Sequence, residues 1–429
     1  MNILILGANG FIGSVVAARL LRDGHRVTGL GRQPERARLR QPQIDWVKAD
    51  LAKMADPKDW LTLLDKQDVV VNCAGALQDG LADDVSAAQQ GAMIALYAAA
   101  KSAGTALIVQ ISARTEGAGS DRPFLATKRN ADQALKESGI PHVILRPALV
   151  IGRNAHGGTA LLRSLAALPF ALPLAHAGNP VETVFVDDVA AAVAAAIDGE
   201  ILPGADIGLA ESRPTTLADL VLQHRSWLGL PPVPVIALPS AIAKPISWLA
   251  DMAGRLGWRS PLRSTAMAIM SEGVVGDRGE RQIWSRRLTT VAEAFAANPS
   301  GVQDLWFARL YLLKPLLICG LSLFWLLSGL VPLIDLGAAS SHFLPLMTEF
   351  PARMLTIATC LLDIALGATV LFRPCARRAL LGMVVVSLVY IVGGTAVEPK
   401  LWLDPLGPLV KVLPSILLTF AALAILEER

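Results

Sequence analysis

At 429 residues the chain has room for about two or three domains, and 53% hydrophobic against 17% charged residues makes it more apolar than a protein built only for water. A formal net charge of +3, with no basic block interleaved with aromatics, excludes a nucleic-acid binder. Cys73, Cys319, Cys360 and Cys375 stand at no CxxC spacing, so neither a metal site nor a disulfide framework is expected, and the thiols read as reduced and cytosol-facing.

Ile3-Leu4-Ile5-Leu6 is a continuous apolar run, the pattern of a central parallel strand buried on both faces. The run is too short for the apolar part of a signal peptide and has no basic stretch ahead of it. No signal peptide is therefore expected, and the N-terminal domain should stay on the side where it is made. A glycine-rich turn and a helix over about 11–23 follow, ended by Gly24. Strands are predicted at 26–30, 44–47, 69–71, 107–111 and 142–145, with an Ala-rich helix over 85–103 and a further helix over 124–138. Strands alternating with helices of this length predict an α/β, doubly wound parallel sheet of Rossmann type. Beyond about 151 prolines and glycines become frequent, as in Pro231-Pro232-Val233-Pro234. We read 1–230 as the sheet domain with substrate-lobe elements from about 151, and 231–305 as the rest of the lobe and a connector.

From 306 to 429 charges almost vanish, and four apolar segments near 315–334, 354–372, 379–397 and 408–426 each approach the roughly 20 residues a helix needs to cross a bilayer. They predict an all-α, four-helix transmembrane bundle. Arg309 and Lys314 precede the first span, and Arg373, Arg377 and Arg378 lie between the second and third, whereas 336–352 has no Lys or Arg. That asymmetry places both termini in the cytoplasm, with the chain multi-pass in the cell (inner) membrane.

Gly7-Ala8-Asn9-Gly10-Phe11-Ile12-Gly13 sets glycines at GxxGxxG spacing between a buried strand and a helix. This is the arrangement a dinucleotide needs: a tight turn, backbone N–H groups open to a pyrophosphate, close helix–strand packing, and a helix N-terminus that favours negative charge. The second strand ends at Gly31-Arg32, where NAD binders place an acidic residue for the ribose. Arg32 offers a planar cation for a 2′-phosphate instead, which favours NADP(H) over NAD(H); a merely solvated arginine is the alternative, since Arg36, Arg38 and Arg40 lie close by.

The first 230 or so residues resemble the short-chain dehydrogenase/reductase superfamily, in its extended and atypical branches. The resemblance rests on the 7–13 motif, Ala49-Asp50-Leu51, Asn72-Cys73-Ala74-Gly75, Ser112, Leu145-Arg146-Pro147 and Val186-Asp187-Asp188-Val189. It implies that Asp50, with Leu51, contacts adenine, that Cys73, Ala74 and Gly75 line the cofactor from adenine ribose to nicotinamide, and that Pro147 also borders it. Members that reduce carbonyls use a Tyr-xxx-Lys pair with a nearby Ser: the tyrosine protonates the alkoxide, and the lysine holds the ribose and lowers the tyrosine pKa. Ser112 and Lys128 occupy those places, but the position four before the lysine is Phe124, which has no proton to give. Tyr97, Tyr311 and Tyr390 offer no replacement. The expected catalytic residues are therefore Lys128 and Ser112, with Lys128 counted among the cofactor-binding residues as well. His156, in an Asn154–Gly158 loop, is placed to approach the nicotinamide edge or to serve the loop alone.

The tail resembles the DoxX-like membrane family over about 310–429, through 325–330, Asp363 with Gly367, and the run from Trp402 through Leu406 to Lys411 and Pro414. Asp363 falls mid-span and should face the bundle interior, with Lys411 a candidate partner. The joint reading is a membrane-anchored NAD(P)H-binding oxidoreductase acting on an apolar carbonyl or quinone-like substrate drawn from the bilayer. The alternative is a non-catalytic NADPH-binding structural, assembly or redox-sensing protein, similar to the NADPH-binding accessory subunit of respiratory complex I or to NmrA-like sensors.

Overall fold

The computed structural model describes the chain except for residues 76–83, 116–122, 212, 276–283, 285, 406 and 428–429, so Leu406 of the tail motif lies outside the described residues. Contacts divide it into two units, Met1–Met252 with Arg259–Leu305, and Ala253–Trp258 with Trp306–Arg429.

The first unit is built on seven parallel strands: β1 (Asn2–Leu6), β2 (Arg26–Gly31), β3 (Asp45–Lys48), β4 (Val69–Asn72), β5 (Leu107–Ile111), β6 (His142–Pro147) and β7 (Asp206–Leu209). They lie in the order β3-β2-β1-β4-β5-β6-β7. Strand direction of growth reverses between β1 and β4, which opens the crevice where such sheets take ligands. β1 shows why an unbroken apolar run is required. Successive side chains point to opposite faces, so Ile3 and Ile5 join one core cluster with Val16, Leu20 and Val109, while Leu4 and Leu6 join another with Val70, Leu96 and Ile144.

α1 (Phe11–Arg22) follows β1 directly, with no acidic residue in its first turn, Arg19 and Arg22 in its last, and Gly24 at φ +85° beyond it. Both ends suit the helix dipole, and the first stays open to an anion. α2 (Ala92–Ala103) and α3 (Pro123–Ser138) cover the sheet after β4 and β5; α4 (Gly157–Ala166), α5 (Val186–Ile197) and α6 (Leu217–Trp227) belong to the later half. α7 (Ser240–Arg255) runs from the first unit to the start of the second.

His224 of α6 is buried, its Nδ1 2.8 Å from the Leu220 carbonyl and its ring edge-on to Phe295 at 4.9 Å. Burial first, and Arg163 second, push its pKa down from 6.5 to about 4. The unfolded chain then binds the proton that the folded one refuses, so stability is complete above the ordinary histidine value and is lost as pH falls from 6.5 towards 4. The loss reaches roughly 2 kcal/mol by pH 5. Denaturant melts at pH 7 and pH 5 should show that difference, and it should disappear in His224→Gln.

α8 (Val302–Ile334), which enters the second unit at Trp306, and α9 (Glu349–Thr369) and α10 (Arg373–Val397) within it are long and apolar enough to cross a membrane. The fourth predicted segment forms only α11 (Val412–Ala424), 13 residues. At 1.5 Å per residue α11 is about 20 Å long, short of a bilayer core of about 30 Å. Where a Cβ on Gly329 would stand, the Cys360 carbonyl oxygen is 2.4 Å away, and one on Gly367 would meet the Leu326 nitrogen at 2.9 Å. α8 and α9 therefore approach backbone to backbone, the packing that small residues permit between helices in lipid. Asp363 is buried as expected, but its partners are hydroxyls: Tyr390 Oη donates to Oδ1 at 2.7 Å and Ser328 Oγ to Oδ2 at 2.8 Å. Lys411, the partner expected from the sequence, instead lines an apolar groove of about 330 Å³ with Leu313, Phe324 and Leu418.

Candidate functional site

The turn between β1 and α1 is shaped by glycine. Gly7 adopts φ +70°, its carbonyl accepts from Gly10 N–H at 2.9 Å, and a Cβ on it would stand 3.0 Å from Ala74 Cα and 3.1 Å from the Cys73 carbonyl carbon. A Cβ on Gly13 would stand 2.2 Å from the Gly7 carbonyl oxygen. The structure thus brings the 7–13 loop against Cys73 and Ala74, on the two strands that flank the switch point. Asn9 lies beside Gly31: a Cβ there would be 3.8 Å from its side chain. Phe11 stacks on His156 at 5.9 Å, and Ile12 packs against the core cluster of Ile3 and Ile5.

Arg32 is exposed directly after β2, and Asp50, half-buried, comes directly after Ala49, whose N–H donates to the Gly31 carbonyl at 3.1 Å. Arg32, Asp50 and Leu51 therefore gather at the ends of neighbouring strands, beside the glycine loop. Pro147 ends β6, in register with Leu209 of β7 and separated from β4 by β5.

At the other end of the crevice Lys128 is buried on α3. Its Nζ donates to the Ile111 carbonyl at 3.1 Å, lies 3.7 Å from where a Cβ on Gly75 would stand, and sits 5.8 Å from the centre of the Phe124 ring. Burial lowers the Lys128 pKa, with Asp132 and Cys73 pulling it back up. Burial likewise pushes the Cys73 thiol up to about 12, against the nearby Lys128 charge. An ammonium held below its ordinary pKa is a stronger acid than a surface lysine, so proton donation is chemistry this group can perform.

Ser112 is buried, but it faces Asp132 rather than an open site: its Oγ donates to Asp132 Oδ2 at 2.6 Å. Asp132 also meets Arg146 at 2.9 Å, Arg146 holds Asp206 through 2.6 and 2.9 Å bonds, and Lys136 reaches Asp206 at 2.8 Å. A carboxylate only accepts, so the single Ser112 proton is committed to this chain of charges. Asp132, Arg146 and Asp206 form a network that no pattern within one segment of the sequence assembles. Its one local signal was Asp132 four residues after Lys128, one helical turn on. Asn72, buried at the end of β4, donates to Gln110 at 2.9 Å and accepts from the Ala74 N–H at 2.9 Å, which holds the turn carrying Cys73 and Ala74. Tyr97, buried, donates to the same Gln110 oxygen at 3.3 Å.

Residues 7–200 match the family model described as NAD(P)H-binding, and 322–420 that of the DoxX-like family. Over these stretches the chain is similar to NAD(P)H-binding proteins, on a Rossmann-type parallel sheet, and then to the DoxX-like family, in a region with membrane-length helices. An uncharacterized protein of Mycobacterium tuberculosis is 28% identical over 235 residues, 55% of this chain, and this chain spans only about a quarter, 24%, of that relative's length. A 2-alkyl-3-oxoalkanoate reductase of Stenotrophomonas maltophilia is 27% identical over 262 residues, covering 54% of this chain and 77% of the relative. Among solved structures, UDP-glucuronic acid 4-epimerase of Bacillus cereus, in complex with UDP-glucuronic acid and NAD, is 17% identical with a TM-score of 0.52, over 72% of this chain and 100% of the other. The Bordetella bronchiseptica enzyme WbmG, in complex with NAD, gives the same identity and TM-score over 72% and 94%. At such identity these two share the fold.

Proposed function

We propose that this chain is a membrane-anchored NAD(P)H-dependent reductase of an apolar carbonyl, with Lys128 as proton donor in place of the usual tyrosine. The observation that carries the reading is the buried Lys128 ammonium, held below its ordinary pKa beside Gly75 and Phe124 where no phenol stands. The glycine loop suits a dinucleotide: Gly7, Gly10 and Gly13 leave backbone where side chains would block it, and the α1 N-terminus carries no opposing acid. Asn9, Phe11, Ile12, Asp50, Leu51, Cys73, Ala74, Gly75 and Pro147 would border the cofactor, and Arg32 its 2′-phosphate.

When bound, the reduced nicotinamide supplies the hydride. Lys128 Nζ gives its proton to the carbonyl oxygen as the carbon is reduced, and recovers one from solvent. Ser112, whose hydroxyl donates to Asp132, has no proton for the substrate and serves to hold Asp132, one turn beyond Lys128 on α3. The Stenotrophomonas relative is named for reducing a 3-oxo acid with an alkyl substituent, which supports an apolar oxo compound as substrate class. A quinone is the other lipophilic acceptor to test. The Lys/Arg distribution supports a cytoplasmic side of the inner membrane for the Rossmann domain and both termini. Phe124 favours a second reading, a non-catalytic NADPH-binding structural, assembly or redox-sensing protein.

The purified full chain in nanodiscs should oxidise NADPH when given long-chain 3-oxo acids or quinones; cofactor binding without consumption for every acceptor selects the second reading. Arg32→Asp should reverse the preference towards NADH, raising KM for NADPH by about tenfold, the worth of one charge-assisted hydrogen bond. Equal KM values in the parent and the variant would remove Arg32 from the site.

A further inference from the structure

α7 is an amphipathic helix whose apolar side none of the described residues of the first unit covers. Ile242, Ile246, Leu249 and Met252 are 48%, 42%, 59% and 42% exposed, and Leu256, just past its end, is 40% exposed. At 100° per residue 242, 246, 249 and 256 fall on one face, with Met252 at its edge. Ser247 and Ala250 of another face are buried, and Gly254 continues that row. Lys244 and Arg255 are exposed on the side away from the apolar stripe, with Trp248, 62% exposed, between them and the stripe. Isolated exposed leucines are ordinary, but a stripe bordered by tryptophan and then by basic residues has the layout of a helix lying in a membrane interface.

The segment that ends α7 belongs to the second unit and marks a depth there. Arg373 N–H donates to the Leu256 carbonyl at 2.9 Å, and Trp258 Nε1 donates to the Leu371 carbonyl at 2.6 Å. The Arg373 guanidinium and the Lys314 ammonium lie over the Trp258 ring at 5.5 and 6.0 Å, and both donate to the Leu426 carbonyl, at 2.9 and 3.1 Å. Residues 256–258 are thus fastened where α9 gives way to α10, at the basic end of the apolar helices. Tryptophan and basic residues collect where hydrocarbon meets headgroups. The exposed stripe is continuous in sequence with that boundary.

From this juxtaposition we infer that α7 lies flat in the bilayer interface, its Ile242–Leu256 stripe among acyl chains and Lys244 and Arg255 at anionic headgroups. The occupant is a lipid surface rich in negative charge. Basic side chains snorkel from the helix flank to phosphates while their stems cover hydrocarbon. The inference is independent of the proposed chemistry, because it concerns the helix and not the cofactor crevice.

The test places p-benzoylphenylalanine at 246, 249 or 244 of the full chain, in nanodiscs of phosphatidylcholine alone or mixed in equal parts with phosphatidylglycerol. After irradiation, adducts are identified by mass spectrometry. Lipid adducts at 246 and 249, several-fold above those at 244 and increased by phosphatidylglycerol, are expected. Lys244→Glu or Arg255→Glu should each lower the anionic-lipid adduct by about fivefold, the equivalent of roughly 1 kcal/mol per basic residue near a charged surface. Crosslinks at 246 and 249 to a second copy or to the chain's own helices overturn the inference, as does the absence of lipid adducts from protein that keeps its parent melting temperature. The parallel Leu249→Glu chain, followed by hydrogen exchange over 242–256, guards against a misfolded label: exchange slower in the parent than in the variant supports interfacial burial, and equal fast exchange in both overturns it.

Discussion

Lys128→Met leaves a protein that still folds but reduces carbonyl substrates with kcat lower by roughly a hundredfold or more, the loss that follows removal of a positioned general acid. Neither of the other nearby candidates can replace it. Ser112 has its only proton on Asp132, and Phe124 has none. Single-turnover rates at saturating NADPH separate this from a lysine that only holds the cofactor, since loss of ribose contacts alone raises the dissociation constant and leaves the saturated rate intact. The pH profile adds a second check. Burial lowers the Lys128 pKa, so its protonated form is exhausted as pH rises through a value below the usual lysine range, and the parent rate should fall there. Lys128→Met should have no such limb. Phe124→Tyr restores a phenol one turn before the lysine and should raise the parent rate. A Lys128→Met protein with the parent's rate and profile would leave the non-catalytic reading standing.

Gly13→Val removes nicotinamide coenzyme binding and destabilises the first unit by about 1–3 kcal/mol, the range for forcing volume into a packed site. The clash is with backbone: the new Cβ would stand 2.2 Å from the Gly7 carbonyl oxygen, 2.8 Å from its carbon and 3.0 Å from Ala8 Cα. No rotamer relieves contacts with main-chain atoms, so the turn must open or α1 must draw back from β1, and either movement spoils the line of N–H groups meant for a pyrophosphate. Gly158→Ala is the contrast, because nothing lies within 4 Å of its Cβ position and it sits inside α4. It should melt at the parent temperature or slightly above. Calorimetry with NADPH and thermal melts on the same preparations measure both effects. Full-strength binding by Gly13→Val would remove the cofactor assignment from this loop.

The legible parts were those written in local pattern. β1 showed as four consecutive apolar residues because a strand covered on both faces must be apolar at every position, and the tight turn after it showed because its glycines are required by backbone geometry within seven residues. The span of Asp363 was likewise readable from hydropathy, and its burial follows from the cost of a bare carboxylate in lipid.

What surrounds each of those groups was decided only by tertiary packing. Ser112 after β5, Asp132 on α3, Arg146 on β6 and Asp206 on β7 meet because parallel strands set distant residues side by side, and no periodicity within one segment records which carboxylate an arginine will find. That arrangement commits the Ser112 proton to Asp132, which is why the proposed acid is Lys128. In the bundle, Asp363 took Ser328 and Tyr390 because α8 and α10 present hydroxyls at its height, while Lys411 stands before the short α11. Single residues along the chain determined what kind of element each segment forms; their chemistry came from neighbours supplied by other elements, because proton affinity and hydrogen-bond direction depend on what lies within a few ångströms in space.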